Sequence, residues 1–429
     1  MANQFATPTL FSKYILAYLH TNCLAANLMD RQFDDSFGKT GLSVWKPGTS
    51  IKVKYPVKFS TTTGPALSLQ DITQNSATIT VSTQRHIDFD YTSIDETLTL
   101  SDMKEQFFMP AAKTLAAYID ADAIATLTPQ VYNLSGESLG ATTGALPAHY
   151  SVASKARQYL SQNLAPTTHP WVALLNPASH SSLASSLVGL YNPQMTVSNI
   201  FEEAMIAKRT AGFDWYESQN IANQTYGSRL TTGATINGTP VDGATTLTLA
   251  GVSSSSATIN VGDRFQVSSC YPVNPETKIV YTDTLQWFVV LPAGTTSSGS
   301  YTATSATTGY YTCSGGAVTL TVSPSIYQNA SNPLMNMTGL VSGGNVTFWG
   351  NASLTAVNNL CFAKDAFAFV SVPMVETGGV DTCKRETVDN VSLRTTIFYD
   401  GINDRKIVRI DAVYGFAALY PQLAAIISG

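Results

Sequence analysis

The stretch "VRIDAVYGFAALYPQLAAIISG", residues 408–429, decides how the chain is read. It is apolar enough to suggest a membrane anchor. A transmembrane helix needs roughly 20 consecutive apolar residues, and Pro421 and Gln422 interrupt this run. Val408, Ile410 and Ala412 alternate with Arg409 and Asp411, which is the period of a strand. Gly415 suits a close backbone approach. The stretch therefore reads as terminal core strands with a bend at Pro421.

The same period dominates an earlier segment. In "SIKVKYPVKFS" the apolar residues Ile51, Val53, Tyr55, Val57 and Phe59 are all odd-numbered, as are Ile79, Val81, Ile87, Phe89 and Tyr91 further on. Strict alternation of this kind means half-exposed strands. Turn residues lie between the two arms, so they are expected to form one long hairpin. Pro56 points to an edge strand. The polar face carries Lys52, Lys54 and Lys58 on one arm and Asp88 and Asp90 on the other, and opposite charges across a hairpin favour pairing. Long hairpins seldom stand alone in water, which favours a flap lying on a neighbour.

After Ser101 the period becomes helical. Ser101 is an N-cap, Asp102 and Glu105 follow it, and Leu115, Ile119, Ala123 and Leu127 make an i+4 stripe. Pro110 should kink this long helix or mark its true start. Asp120 and Asp122 read as exposed helix charges that do not face each other. Next come a helical segment, "HYSVASKARQYLSQNL", and a short apolar strand, "WVALL", followed by a helix after Asn176-Pro177. From residue 227 to about 344 the composition shifts to Thr, Ser, Gly and short β-runs. That is the pattern of a small barrel or sandwich inserted into an α/β chain. Helix and mixed structure are expected to resume at "NASLTAVNNLCFAKDAFAFVSVPM". At the other end, Thr7-Pro8 starts an amphipathic arm with Leu10, Phe11, Tyr14, Ile15 and Tyr18 at helical spacing. With Lys13 and His20 interrupting its apolar part and no basic leader, this start does not read as a signal peptide.

Composition narrows the function. Among 429 residues the charged fraction is 12%, about half the usual ~25%, so the polar surface is mostly uncharged and suits wide contact between copies. The net charge is −5 with no run of Lys or Arg, against a sequence-specific nucleic-acid reader. Cys23, Cys270, Cys313, Cys361 and Cys383 are scattered and form no C-x-x-C pair, so neither a zinc site nor a disulfide framework is expected. "FGKT" at residues 37–40 lacks the first glycine of a phosphate-binding loop. "GESLG" at residues 136–140 matches the nucleophile elbow of serine hydrolases by letter, but no Asp or Glu lies between Ser138 and His180, so the usual triad order fails. His20, His86, His149, His169 and His180 make no metal-binding spacing. No enzyme, cofactor or metal is expected. A secreted β-rich adhesin or carbohydrate-binding protein is the alternative that the Ser/Thr/Gly-rich middle suggests, without the signal peptide and paired cysteines it would usually have.

The motifs "LLNPASHSSL", "TAGFDWYESQN", "INVGDRFQV", "VTLTVSPSI", "NLCFAKDAFAFVSVPM" and "VYGFAALYPQLAAI" occur in an order that resembles tailed-phage major capsid proteins with the HK-97-like fold. The chain is similar to the coat proteins of short-tailed Salmonella phages, whose insertion is a telokin-like β-barrel. The resemblance implies an α+β, HK-97-like capsid fold. Its expected divisions are an N-terminal arm (residues 1–43), an extended β-hairpin loop (44–93), a peripheral domain with a spine helix (94–145), an axial domain (146–226), an inserted all-β barrel (227–344) and a return to the axial and peripheral domains (345–429). It implies self-assembly into hexamers and pentamers of an icosahedral virion capsid, built in the bacterial host cytoplasm. The expected partners are a scaffolding protein, a portal protein, packaged double-stranded DNA held without sequence-specific binding and, where one is used, a decoration protein, with no membrane. Lys52, Lys54, Lys58, Asp88, Asp90 and Asp242 are the candidate intersubunit residues. In the family a charged loop of the insertion bridges capsomers. Here the matching "TINGTPVDGATT" holds only Asp242, so a bridge by salt links is not expected.

Overall fold

The computed structural model describes residues 16–17, 19, 23–33, 48–65, 67, 69, 74–92, 107–137, 146–187, 210–221, 223–252, 257–293, 300–303, 309–313, 316–380, 382–388 and 391–429. The Thr7-Pro8 helix start, "FGKT", the Ser101 cap and Ser138 lie outside the described residues. The chain divides into two compact units, Met1–Lys54 with Ser76–Ala123 and Phe367–Leu419, and Tyr55–Asn75 with Ile124–Ala366 and Tyr420–Gly429.

The first unit is organised by the stretch that reads as an anchor. Arg405–Ala418 is one strand with three antiparallel partners: Val391–Asp400 on one side, Thr83–Thr92 on the other, and Phe367–Ser371 at its far end. Thr382–Val388 completes the sheet at its edge. Val408, Ile410, Ala412 and Tyr414 are buried, as the alternation requires. Gly415 sits where a Cβ would come 2.2 Å from the Thr80 carbonyl oxygen, a clash that only glycine avoids.

The long hairpin is corrected here. Ser50–Lys54 pairs with Ser76–Thr80, with Ile51 opposite Ile79. Beyond Val81 the second arm leaves its partner, and Thr83–Thr92 joins the terminal strand in a ten-residue register. A full-length neighbour in a larger sheet satisfies more backbone groups than an isolated two-stranded ribbon. The helix begins at Met109 and runs to Leu127, so Pro110 marks its first turn. Leu115, Ile119, Ala123 and Leu127 are all buried.

In the second unit a five-stranded sheet has the order Leu134–Ser135, Ala424–Ile427, Asn359–Phe362, Trp171–Leu175, Phe213–Glu217. The outer pairs are parallel and the inner pairs antiparallel. Pro421–Leu423 is a single 3-10 turn that bends the chain into the last strand, which is buried throughout. The helix Tyr150–Gln162 packs on that strand, and Trp171–Leu175 leads into the helix Pro177–Leu187 as expected. Where helix and mixed structure are expected to resume, from "NASLTAVNNL" onward, the chain instead forms the strands Thr355–Val357 and Asn359–Phe362. Leu360, Cys361 and Phe362 are buried on both faces of the sheet, and such a run carries no helical period.

The insertion is a closed six-stranded barrel: Arg264–Val267, Trp287–Leu291, Ala317–Ile326, Ala244–Ala250, Ala234–Ile236 and Asn345–Phe348, which returns to the first. Its closing strand lies just past the expected boundary at 344. Closure removes the exposed edges of an antiparallel sheet. Phe265 holds the core together, with ring centroids 5.4 Å from Phe288 and 5.3 Å from Phe348.

Candidate assembly surfaces

The six candidate charges are not brought together. Lys52 and Lys54 stand opposite Thr78 and Ser76, exposed to solvent, and among the described residues neither has an ion-pair partner. Lys58 lies near Glu276 and Lys278 of the barrel region. The surrounding protein lowers its pKa, and Glu276 opposes that shift.

Asp88 and Asp90 face the terminal strand of their own chain. Asp90 pairs with Arg405 at 2.9 Å, and Asp88 lies 3.4 Å from His86 and 3.9 Å from Arg409. The expected attraction to the lysines fails because the two arms diverge before their charges could meet. Pairs this exposed contribute only about 0.2–1 kcal/mol each. Asp242 is also engaged locally. It accepts hydrogen bonds from the N–H groups of Gln328 (2.7 Å) and Asn329 (3.1 Å) and from the Asn332 amide (3.1 Å). Desolvation pushes its pKa up, but these donors outweigh it and hold the carboxyl below its ordinary value.

The two helix carboxylates that read as exposed are not. Asp120 is 3% exposed and accepts hydrogen bonds from the N–H groups of Leu24 (2.7 Å) and Ala26 (3.2 Å), at the start of the short helix Ala25–Leu28. Burial raises its pKa to about 6 against the opposing pull of these donors. Asp122 points elsewhere. It is gripped by Arg85 through Nε (2.9 Å) and Nη2 (2.8 Å), and the Tyr414 hydroxyl donates to it. Two residues apart on a helix are about 200° apart around its axis, so one carboxylate reaches the segment at residues 24–26 and the other the sheet.

Sequence reasoning also missed a buried charge cluster at the foot of the barrel. Arg229, Asp263 and Arg264 are each 0% exposed. Arg229 Nε lies 3.4 Å from Asp263 Oδ2, and its other nitrogens donate to the carbonyls of Trp349 and Gly350. Arg264 donates to the carbonyls of Thr128 (2.7 Å) and Val131 (2.8 Å), so a barrel side chain satisfies backbone groups following the long helix. Burial pushes the Asp263 carboxyl up and lowers Arg264 to about 10. The only signal was a charged pair inside the apolar alternation of "INVGDRFQV".

Three large apolar side chains, Phe59, Leu67 and Leu69, are exposed in the segment that follows Lys54, whose start is tied by Tyr55 N–H to Asn75 O (2.9 Å). No described helix is long and apolar enough to cross a membrane. Among the described residues no group of His, Cys, Asp and Glu is placed to hold a metal ion.

Comparison with known proteins agrees with the sequence resemblance. The family described as "P22 coat protein - gene protein 5" matches residues 43–427. Among solved structures, one from Mycobacterium phage Che8 is 13% identical, with a TM-score of 0.46 over 94% of this chain and 90% of that one. The mature capsid of bacteriophage PhiM1 is 10% identical, with a TM-score of 0.41 over 88% and 81%. The capsid of Ralstonia phage GP4 is 7% identical, with a TM-score of 0.41 over 88% and 82%. No curated protein matches.

Proposed function

Because the chain belongs to the P22 coat protein family, and is therefore a major capsid protein of a tailed bacteriophage, we propose that it builds the hexamers and pentamers of an icosahedral shell around double-stranded DNA. Its α+β, HK-97-like fold with an inserted barrel is that of a structural tile. Self-association follows from the family. A scaffolding protein, a portal protein, the DNA and, where one is used, a decoration protein are the further partners proposed.

The observation that supports the finer reading is the exposure of three large apolar side chains, Phe59, Leu67 and Leu69, after the strand Ser50–Lys54. A shell repeats one modest interface many times by symmetry, and exposed apolar side chains on a loop suit such an interface. Low charge density reduces repulsion between copies. A net charge of −5 leaves the DNA enclosed but not gripped. The lysines Lys52, Lys54 and Lys58 remain candidates for contacts between copies. Asp88, Asp90 and Asp242 would serve there only by giving up or sharing their internal partners. No observation favours the adhesin alternative.

Expression with the phage's own head-assembly proteins, followed by electron microscopy, tests the reading. Uniform closed shells with six-fold and five-fold clusters are expected. A chain that stays monomeric with those proteins present would sink it.

A further inference from the structure

The sequence holds the pair Asn-Gly once, at Asn237-Gly238, inside "TINGTPVDGATT". This pair has a chemistry of its own. A main-chain nitrogen that follows asparagine can attack the side-chain amide carbon, and glycine, with no Cβ, hinders that approach least. In the structure the pair sits where the strand Ala234–Ile236 ends and the connection to Ala244–Ala250 begins. Asn237 N–H bonds Thr248 O at 2.9 Å and continues the pairing of those strands. The Asn237 side chain is exposed, and among the described residues none hydrogen-bonds its amide. Gly238 follows at φ +83°, with open space where a Cβ would stand. Its N–H donates to Ser342 Oγ at 3.2 Å, in a bond exposed to solvent.

The two Asp-Gly pairs of the chain, Asp242-Gly243 and Asp400-Gly401, could follow the same route, and the structure disfavours both. Gly243 N–H donates to Ile326 O at 2.7 Å, which ties the attacking nitrogen to the barrel backbone. The Asp242 carboxylate is engaged by Gln328 N–H, Asn329 N–H and the Asn332 amide. Asp400 is held in the same way by Ile402 N–H (3.1 Å), the Asn403 amide (2.8 Å) and Arg405 Nε (3.0 Å). Donors of this kind favour the charged form, and an ionised carboxylate is a poor electrophile. The Asn237 amide is neutral and open to attack.

We propose that Asn237 is a site of spontaneous deamidation in the folded chain. The Gly238 nitrogen gives its proton to water and bonds to the Asn237 side-chain carbon. The bond from that carbon to Nδ2 breaks, and ammonia leaves with a proton taken from water. A cyclic imide remains. Water then opens it at either carbonyl, which gives aspartate or isoaspartate, and nothing is oxidised or reduced. Each converted chain gains a negative charge in the connection that already carries Asp242. In the isoaspartate product the main chain is one carbon longer. The altered link follows the Asn237 N–H, so the bond to Thr248 O is kept and the extra length falls in residues 238–243.

The test is to age the purified full chain at mildly alkaline pH, both folded and unfolded in guanidinium chloride, and to map its peptides by mass spectrometry. In the folded chain the peptide containing Asn237 should yield two acid products that separate on chromatography. It should convert roughly tenfold faster than any peptide whose asparagine precedes a residue with a Cβ, and at a rate close to that of the unfolded chain. An Asn237 peptide that stays intact in the folded chain while it converts in the unfolded one would overturn the inference, because the fold then shields the pair. Asn237→Gln should abolish both products and keep the wild-type melting temperature, since the side chain it replaces is exposed. Acid products formed at the wild-type rate by that variant would place the reaction elsewhere and would also overturn it. The chemistry needs only the folded chain, so its failure leaves the capsid reading standing.

Discussion

The Tyr414 hydroxyl donates to the Asp122 carboxylate at 2.6 Å, joining the terminal strand to the long helix. Arg85, from the neighbouring strand, closes the group with two hydrogen bonds to the same carboxylate. The tyrosine ring is buried and the carboxylate is half-buried. Tyr414→Phe leaves Arg85 to satisfy Asp122 and should lower stability by about 1 kcal/mol. Asp122→Ala strands both donors and should cost about 1–3 kcal/mol. Urea denaturation of the unassembled chain measures both, and equal losses would show that the hydroxyl, not the carboxylate, organises the group.

Gly415 packs against Thr80, so Gly415→Ala forces the two strands apart. The obstruction is backbone, with the carbonyl oxygen at 2.2 Å from the would-be Cβ, and a rotamer change cannot relieve it. A loss of about 1–3 kcal/mol or more is expected, read as a lowered urea midpoint. A neutral substitution would mean that the strands do not approach as described.

Asp120 makes a pH prediction with a definite sign. Its folded pKa, about 6, lies above the ordinary 3.8, so the fold favours the protonated form. The stability it contributes is therefore fully present below about pH 4 and is lost as pH rises to about 6. Two units correspond to about 3 kcal/mol. Cys23 lies near it, and burial pushes the Cys23 thiol up so that it stays neutral. Carboxylates held low, such as Asp400 at about 2, give the opposite slope, so the measurement is a difference. Asp120→Asn should gain on the wild type as pH rises from 4 to 7. Parallel stability profiles for the two proteins would contradict this.

Arg229→Met should destabilise the chain by about 3–5 kcal/mol, because it leaves Asp263 buried without its counter-charge. Arg229→Met with Asp263→Asn should recover part of that loss, since the buried carboxylate is removed with its partner while Arg264 keeps its carbonyl acceptors. Thermal unfolding of the single and double variants checks the order. A double variant worse than the single would assign Asp263 to Gly227 and Asn260, whose N–H groups it also accepts, as its main role.

The alternation of Val408, Ile410 and Ala412 was legible, as were the helix stripe from Leu115 to Leu127 and the Ser/Thr-rich insertion, because each repeats with the period of one element. Partner choice was not. Ile87, Phe89 and Tyr91 announce a strand equally well whether it pairs with Ile51–Phe59 or with the terminal strand, and only the competition between the two sheets decides. Charges were least legible. Asp120 and Asp122 look alike in sequence, yet one caps a distant helix and the other binds Arg85, because their directions on the helix differ. Asp88 and Asp90 were placed on the right face of the right strand and assigned the wrong partners for the same reason that the hairpin was drawn too long.

The exposed loop offers the sharpest separation of fold from assembly. Phe59, Leu67 and Leu69 touch solvent, so replacing all three by Ser removes almost nothing that the isolated chain buries, and exposed substitutions usually fall within about ±0.5 kcal/mol. Each side chain that does become buried between copies is worth about 1.5–3 kcal/mol, and a shell repeats the loss at every interface. The triple variant should therefore keep the urea midpoint of the wild type and give few or no closed shells. If shells form in normal yield and resist heat or denaturant like the wild type, this loop is a solvated surface and the contacts between copies lie elsewhere. A lowered urea midpoint would show instead that the loop is part of the subunit's own fold.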